Sequence, residues 1–358
     1  MKLQSFFLLS SLGTVLFANS TLIQNAKDVG LRPIPSNQKA LNKLIDPKGV
    51  ITPQRVELGK KLYFDPRISK SALISCNTCH NLGLGGVDGL SKAIGHKWSP
   101  NPHHLNSPTV YNAVFAKRQF WDGRSPTLED QAEGPIQAEP EMAMNHKLLA
   151  KRINSIPAYV EEFEEAYGKG VKIDLKSIAA AIATFERTLI TPSRYDDFLN
   201  GDKEALRPQE KKGLQTFIDK GCITCHTDVA LGGTIKPFEL NKKYQFRDIG
   251  DFLTNRTVVK VPTLRNITET APYFHNGQIW DLRKVIKEMG RVQVGYKIKG
   301  SKHDNNLSVT VKPISLTEQD VDNILSFFHS LKGRKAMIEY PQLPRSTVNT
   351  PQPITDSL

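Results

Sequence analysis

Apolar positions recur along the chain mostly at helical spacing, and short polar or Pro/Gly-containing stretches separate the recurrences. Leu58, Leu62 and Tyr63 form one apolar stripe; ahead of it stand Thr52, suited to capping, and Pro53, suited to a first helical position. Pro208 opens a similar helix whose stripe includes Leu214, Phe217 and Ile218. From Ile178 to Leu189 the chain is rich in Ala and Ile until Pro192 stops it. Thr317, with Asp320 three residues on, predicts a capped helix carrying Val321, Ile324, Leu325 and Phe328 and stopping near Gly333. Another helix is predicted from Leu282, with Met289 at its end. Strand-like alternation is scarce apart from a short stretch around Val309–Val311. The pattern predicts a mainly α chain.

One apolar run stands apart. Phe6 to Ala18 follows the positive Lys2 and ends among small residues around Ala18–Ser20, the pattern of a cleaved secretory leader over 1–18. Ser, Gly and Thr interrupt it, and it falls short of the roughly 20 apolar residues that a membrane anchor needs. Stable membrane insertion is therefore not expected, and the mature protein is expected in the periplasm. Its 358 residues allow two or three domains. The net charge of +12 raises nucleic acid as a partner, but the 48 basic residues are scattered, with no dense block and no aromatic ladder beside one. Nucleic acid is set aside.

The four cysteines expose an internal duplication. Cys76-Asn77-Thr78-Cys79-His80 and Cys222-Ile223-Thr224-Cys225-His226 share the pattern C-x-T-C-H, and each follows one of the Pro-started helices. Each copy also ends in one of the strong apolar helices. The organisation predicted is a leader (1–18), an N-terminal unit (19–191), a C-terminal unit (192–340) and an irregular Pro-containing tail (341–358). Three chemistries compete for the pairs. A four-cysteine zinc site fits poorly, because ribbon-type sites place their pairs about 15–20 residues apart. Two disulfides leave the histidines unexplained. With nine histidines in 358 residues, two following the pairs by accident has odds of about 6 in 10,000. Covalent attachment of two c-type haems uses every cysteine as a thioether and each following histidine as an iron ligand.

The sixth iron position decides between carrier and catalyst, and the residues alone leave it open. Sulfur candidates are Met142, Met144, Met289 and Met337, with Met337 the poorer one beyond the last helix. Unused histidines are His96, His103, His104, His146, His275, His303 and His329. Thioether sulfur raises a haem potential relative to a second imidazole.

Ordered blocks follow each haem motif. After the first come Gly95-His96, Asn106-Ser107-Pro108-Thr109, Phe120-Trp121-Asp122-Gly123-Arg124, and Gln131 through Glu141-Met142. After the second come Val261-Pro262-Thr263-Leu264-Arg265-Asn266, Ala271-Pro272-Tyr273-Phe274-His275-Asn276-Gly277 and Met289-Gly290. In these blocks the chain resembles the bacterial di-haem cytochrome c peroxidases over nearly all of its mature length. The resemblance implies two cytochrome c-like helical domains, each with one covalent haem. It implies His80 and His96 on the N-terminal, lower-potential iron, and His226 and Met289 on the C-terminal, higher-potential iron. Methionine at position 289 is similar to the peroxidases and unlike the relatives that oxidise protein tryptophans. Related enzymes hold calcium between the domains, which falls here on Asn106, Thr270 and Pro272.

The activity so implied is reduction of hydrogen peroxide to water, with electrons from a small donor such as a monohaem cytochrome c entering at the C-terminal haem. Glu141 is the candidate proton shuttle, placed on what reads as a Pro-broken loop from Gly134 to Met142, with Glu139 and Glu133 as competitors. Gln131 is the candidate for orienting peroxide, and Trp121 for helping electrons cross between the haems. Arg124 and Arg265 are candidates for pairing with haem propionates. A homodimer is typical of the family, although no stretch of this sequence by itself demonstrates one. Two other readings stay open: a non-catalytic di-haem electron carrier, and a related di-haem oxidase acting on another substrate.

Overall fold

A computed structural model describes residues 21–103, 105–237, 258–292, 296–298, 309–311 and 313–354. The expected leader, His104 and His303 lie outside the described residues. The fold is mainly α. Residues 21–28 are helical, and the helices after them are α1 (Gln38–Ile45), α2 (Pro53–Phe64), α3 (Cys76–Cys79), α4 (Leu128–Gln137), α5 (His146–Asn154) and α6 (Pro157–Tyr167), followed by α7 (Leu175–Glu186), α8 (Arg194–Leu199), α9 (Pro208–Asp219), α10 (Leu282–Val292) and α11 (Glu318–Ser330). Two antiparallel ribbons of three-residue strands complete it. In one, β1 (Ile235–Pro237) pairs with β2 (Val258–Lys260); in the other, β3 (Tyr296–Ile298) pairs with β4 (Val309–Val311).

The helix starts follow local chemistry. The Thr52 hydroxyl accepts from the Arg55 backbone N–H, and Pro53 occupies the first turn of α2, where no helical donor is required. Thr317 and Asp320 form a reciprocal capping box on α11. An equivalent box, Asp174 with Ser177, starts α7 three residues before the predicted Ile178, and α7 ends at Glu186 rather than Leu189. Met289 lies inside α10, which continues to Val292.

Among the described residues the core consists of two apolar clusters. The first gathers Leu58, Leu62, Tyr63, Ile136, Phe163 and Ile182; the second gathers Leu214, Phe217, Leu282, Ile286, Ile324 and Phe327. The duplication reaches backbone packing. In the first half Gly59 of α2 lies so close to α7 that a Cβ would stand 2.0 Å from the Ala181 carbonyl oxygen. In the second, a Cβ on Gly213 of α9 would stand 2.0 Å from the Asn323 carbonyl oxygen of α11. Only glycine permits either crossing.

The halves also exchange segments. Ile23, Ala26 and Leu31 pack into the second cluster, although they precede the first half in sequence. At the other end residues 341–354 hold no helix or strand and are anchored on the first half. Arg67 donates to Ser346 at 2.9 Å, buried Arg152 donates to the Gln352 carbonyl at 3.1 Å, and the Ile354 N–H donates to the Lys70 carbonyl at 3.1 Å.

Candidate functional site: a cavity between two attachment turns

Each C-x-T-C-H segment forms one tight turn. In α3 the His80 N–H donates to the Cys76 carbonyl at 2.9 Å, and in the second copy the His226 N–H donates to the Cys222 carbonyl at 3.0 Å. Both histidine side chains are fixed in one tautomer. Nδ1 of His80 lies 2.9 Å from the Pro108 carbonyl oxygen, and Nδ1 of His226 lies 3.0 Å from the Leu231 carbonyl oxygen. A carbonyl can only accept, so Nδ1 carries the proton and Nε2 keeps its lone pair for a metal. Burial holds both rings neutral, lowering His80 and taking His226 down to about 4 despite the Leu231 hydrogen bond.

One cavity of about 450 Å³, within the range of cofactor sites, receives both turns. Its wall includes all four cysteines, His80, His226 and Met289. Burial pushes the thiols up, Cys79 and Cys222 to about 12, so they remain protonated rather than acting as nucleophiles. Lys260 also faces the cavity, and burial lowers its ammonium to about 8, with Asp122 opposing. A desolvated cation on a cavity wall calls for an anionic partner. The wall thus offers four thiols, two imidazoles with Nε2 available, a soft thioether and a half-buried cation. That donor set fits c-type haem, whose vinyl groups, iron and carboxylates each find a counterpart.

The candidate catalytic groups gather on the same wall. Glu141, Gln131 and Trp121 all line it, whereas Glu133 and Glu139 do not. Burial raises the Glu141 carboxyl above its ordinary range, and the charge of Arg124 partly opposes this. Arg124 itself pairs with Asp122 at 3.0 Å and lies 3.4 Å over the Phe120 ring. The supposed loop from Gly134 is helical as far as Gln137, with Pro135 inside the helix at the expense of its own i→i−4 hydrogen bond. The loop proper begins at Ala138, and Glu141 follows it.

His96 is buried at 4% exposure, with neither ring nitrogen hydrogen-bonded, and its ring is not part of the cavity wall. Its backbone N–H donates to the Glu141 carbonyl at 2.8 Å. Trp121 bridges the two halves. Its indole N–H donates to the Asn106 carbonyl at 2.9 Å, its own carbonyl accepts from Lys260 at 3.0 Å, and its ring meets the His275 ring edge-on at 6.1 Å. Asn106, Thr270 and Pro272 also line the cavity, and the Asn106 amide N–H donates to the Pro272 carbonyl at 2.5 Å while its Oδ1 is buried without a partner.

Arg265 is a correction. It is fully buried and paired through both terminal nitrogens with Asp196 at 2.8 and 2.9 Å, away from the cavity wall, so its charge is committed to the core. Among the charged wall residues, Lys236, Lys260 and Glu186 escaped the sequence reading. Glu186 left a trace, a carboxylate four residues after Ile182 on an apolar helix face. Lys260 left none, since its place on the wall depends on a ribbon and a partner half.

Comparisons with known proteins agree with this geometry. The di-haem cytochrome c peroxidase family pattern matches residues 53–204, and the cytochrome c pattern matches residues 210–332. The chain is 44% identical over 316 residues to the cytochrome c551 peroxidase of Pseudomonas aeruginosa, covering 85% of this chain and 86% of that protein. It is 39% identical over 325 residues to the cytochrome c551 peroxidase of Nitrosomonas europaea, covering 87% and 91%. The fold also resembles that of a MauG-like protein associated with microbial copper homeostasis, with a TM-score of 0.64 at 23% identity over 79% of this chain and 90% of that one. Identity of this extent, falling on a chain whose two attachment turns open onto one cavity, makes it a member of the bacterial di-haem cytochrome c peroxidase family.

Proposed function

We propose that the protein reduces hydrogen peroxide to water in the periplasm, using electrons from a small donor protein such as a monohaem cytochrome c. When bound, the two haems supply the iron that cleaves peroxide and the route by which electrons reach it. The observation that carries this reading is the placement of Glu141. Of the three carboxylates in its stretch it alone lines the cavity, and its burial favours the protonated form needed to move a proton between the peroxide oxygens.

The other residues follow from that centre. His80 holds the peroxide-reactive iron through Nε2 and His226 holds the electron-accepting iron, with Met289 as its second ligand. Gln131, on the wall with Glu141, orients peroxide by hydrogen bonding. Trp121, fastened to both halves, offers an aromatic path between them. His96 is the removable ligand of the first iron. Its ring stands off the wall, as release requires, and its segment carries left-handed residues at Lys97 and Trp98 (φ 60 and 53), a conformation sensitive to what holds it.

Calcium is proposed between the halves, at Asn106, Thr270 and Pro272. Oxygen donors suit that hard cation, and the buried, unpartnered Asn106 Oδ1 supports the reading. Among the described residues no group of three His, Cys, Asp or Glu offers a side-chain alternative. No described helix is long and apolar enough to cross a membrane. A homodimer is carried over from the family.

The test is peroxide consumption by the haem-loaded protein with reduced cytochrome c, before and after one-electron reduction. Turnover that appears or rises on reduction supports both the activity and the His96 gate. Two intact haems with no turnover in either state would make the protein an electron carrier.

A further inference from the structure

The mechanism leaves one buried acid unused. Glu186, at the end of α7, is 5% exposed and lines the cavity on the side of Cys76, whose thiol feels its charge. Ile182, one turn earlier, lines the same wall, so this face of α7 is a cavity face. The nearest cation is committed elsewhere, because Arg187 pairs with Glu129 of α4 at 2.6 Å. Among the described residues Glu186 forms no ion pair and no side-chain hydrogen bond. The titratable groups that face it are Tyr63 from α2, Cys76 from α3 and Glu129 from α4, with Arg187 on its own helix. Tyr63 donates its hydroxyl to the His80 carbonyl at 2.6 Å, so it gives Glu186 no counter-charge.

Building on the function proposed above, we propose that Glu186 is the proton store of the N-terminal haem site. Its carboxylate takes up one proton from water when one electron reaches the haem held by His80, and releases that proton when the electron leaves. The electron comes from the donor protein by way of the His226 haem. The proton enters past Glu129, whose side chain is 35% exposed and which stands on α4, packed against α7. Charge then balances inside the cavity, because the arriving negative charge is met by neutralisation of a buried carboxylate. Burial, and after it the negative charge of Glu129, push the carboxyl up to about 8, with Arg187 opposing, so the carboxylate is present to take up a proton around and above that pH, and the slope of the midpoint with pH belongs to the alkaline side.

Potentiometric titration of the haem-loaded protein from pH 6 to 9 tests this, with the two haems followed separately by absorbance. In the unaltered protein the midpoint of the His80 haem falls as pH rises, approaching a tenfold change in the reduction equilibrium per pH unit, about 59 mV for one electron. Glu186→Gln flattens that slope and leaves the His226 haem as it was. Glu129→Gln removes the repulsive neighbour and frees Arg187, so the inflection moves to lower pH with the slope retained. A slope in Glu186→Gln equal to that of the unaltered protein overturns the proposal, as does a flat unaltered protein. Should Glu186→Gln fail to take up haem, infrared difference spectra of unaltered protein carrying 13C-glutamate decide. A protonated carboxyl band must appear on reduction, and its absence overturns the proposal. Peroxide turnover is scored separately, so a flat slope with full turnover removes the proton store alone, and a slope without turnover removes the peroxidase reading alone.

Discussion

The backbone N–H of His96 donates to the main-chain carbonyl of Glu141 at 2.8 Å, tying the segment of the proposed iron gate to the segment of the proposed acid. The contact is possible because Gly95 lies against the preceding residue, where a Cβ would stand 2.0 Å from the Pro140 carbonyl oxygen and 2.9 Å from the Glu141 Cα. Moving the gate therefore pulls on the acid.

Gly95→Ala tests that coupling. The added methyl meets backbone on both sides, so the loops must separate, at a cost of about 1–3 kcal/mol. Thermal unfolding of the haem-loaded variant should show the loss, and peroxide turnover should fall with it. An unchanged melting temperature would mean that the loops do not depend on each other.

Glu141→Gln keeps the shape of the wall and removes the movable proton. Peroxide turnover should fall by about 10²–10⁴-fold, while both haem absorption spectra persist. Glu133→Gln and Glu139→Gln, off the wall, should stay near the unaltered rate. A steady-state assay of the three variants checks the assignment.

Met289→His replaces a thioether by an imidazole and should lower the potential of the His226 haem. Met337 is 91% exposed, so Met337→Leu should leave both potentials in place. Redox titration distinguishes them, and an unmoved potential in Met289→His would put the second ligand elsewhere.

Arg265→Ala should cost about 3–5 kcal/mol, because it leaves Asp196 charged in the core without the guanidinium that pairs with it. Burial by itself pushes the Asp196 carboxyl up, but the Arg265 charge and several hydrogen bonds overcome this and hold it below the ordinary carboxylate range. A folded-state value below the unfolded one adds stability above the unfolded pKa, and that stability is lost as pH falls toward the folded value. Acid denaturation should thus become shallower in Arg265→Ala, measured by helical circular dichroism from pH 7 downward.

Much of this was readable from local signals. Thr52 with Pro53, Pro208, and Thr317 with Asp320 act within one helical turn, and the structure places helix starts at each. The haem turns were legible because their chemistry requires three side chains within five residues. What escaped depends on distant chain. Arg265 looked like a cofactor partner until Asp196, 69 residues away in sequence, was found to occupy it. The anchoring of the tail was not legible because its partners, Arg67, Lys70 and Arg152, lie in the other half. Pro135 looked like a helix breaker, but it sits inside α4, which runs on to Gln137. Glu186 was visible only as a charge on an apolar face, and nothing local separates a buried acid from a surface one.

The central claim is tested most directly by counting electrons. Protein purified with its haems intact is mixed with reduced monohaem cytochrome c and a limiting amount of hydrogen peroxide, and donor oxidation is followed by absorbance. Two donors oxidised per peroxide, with two haems per chain by mass spectrometry, is the predicted result. A chain without covalent haem, or one that carries both haems and leaves the peroxide intact, would contradict it.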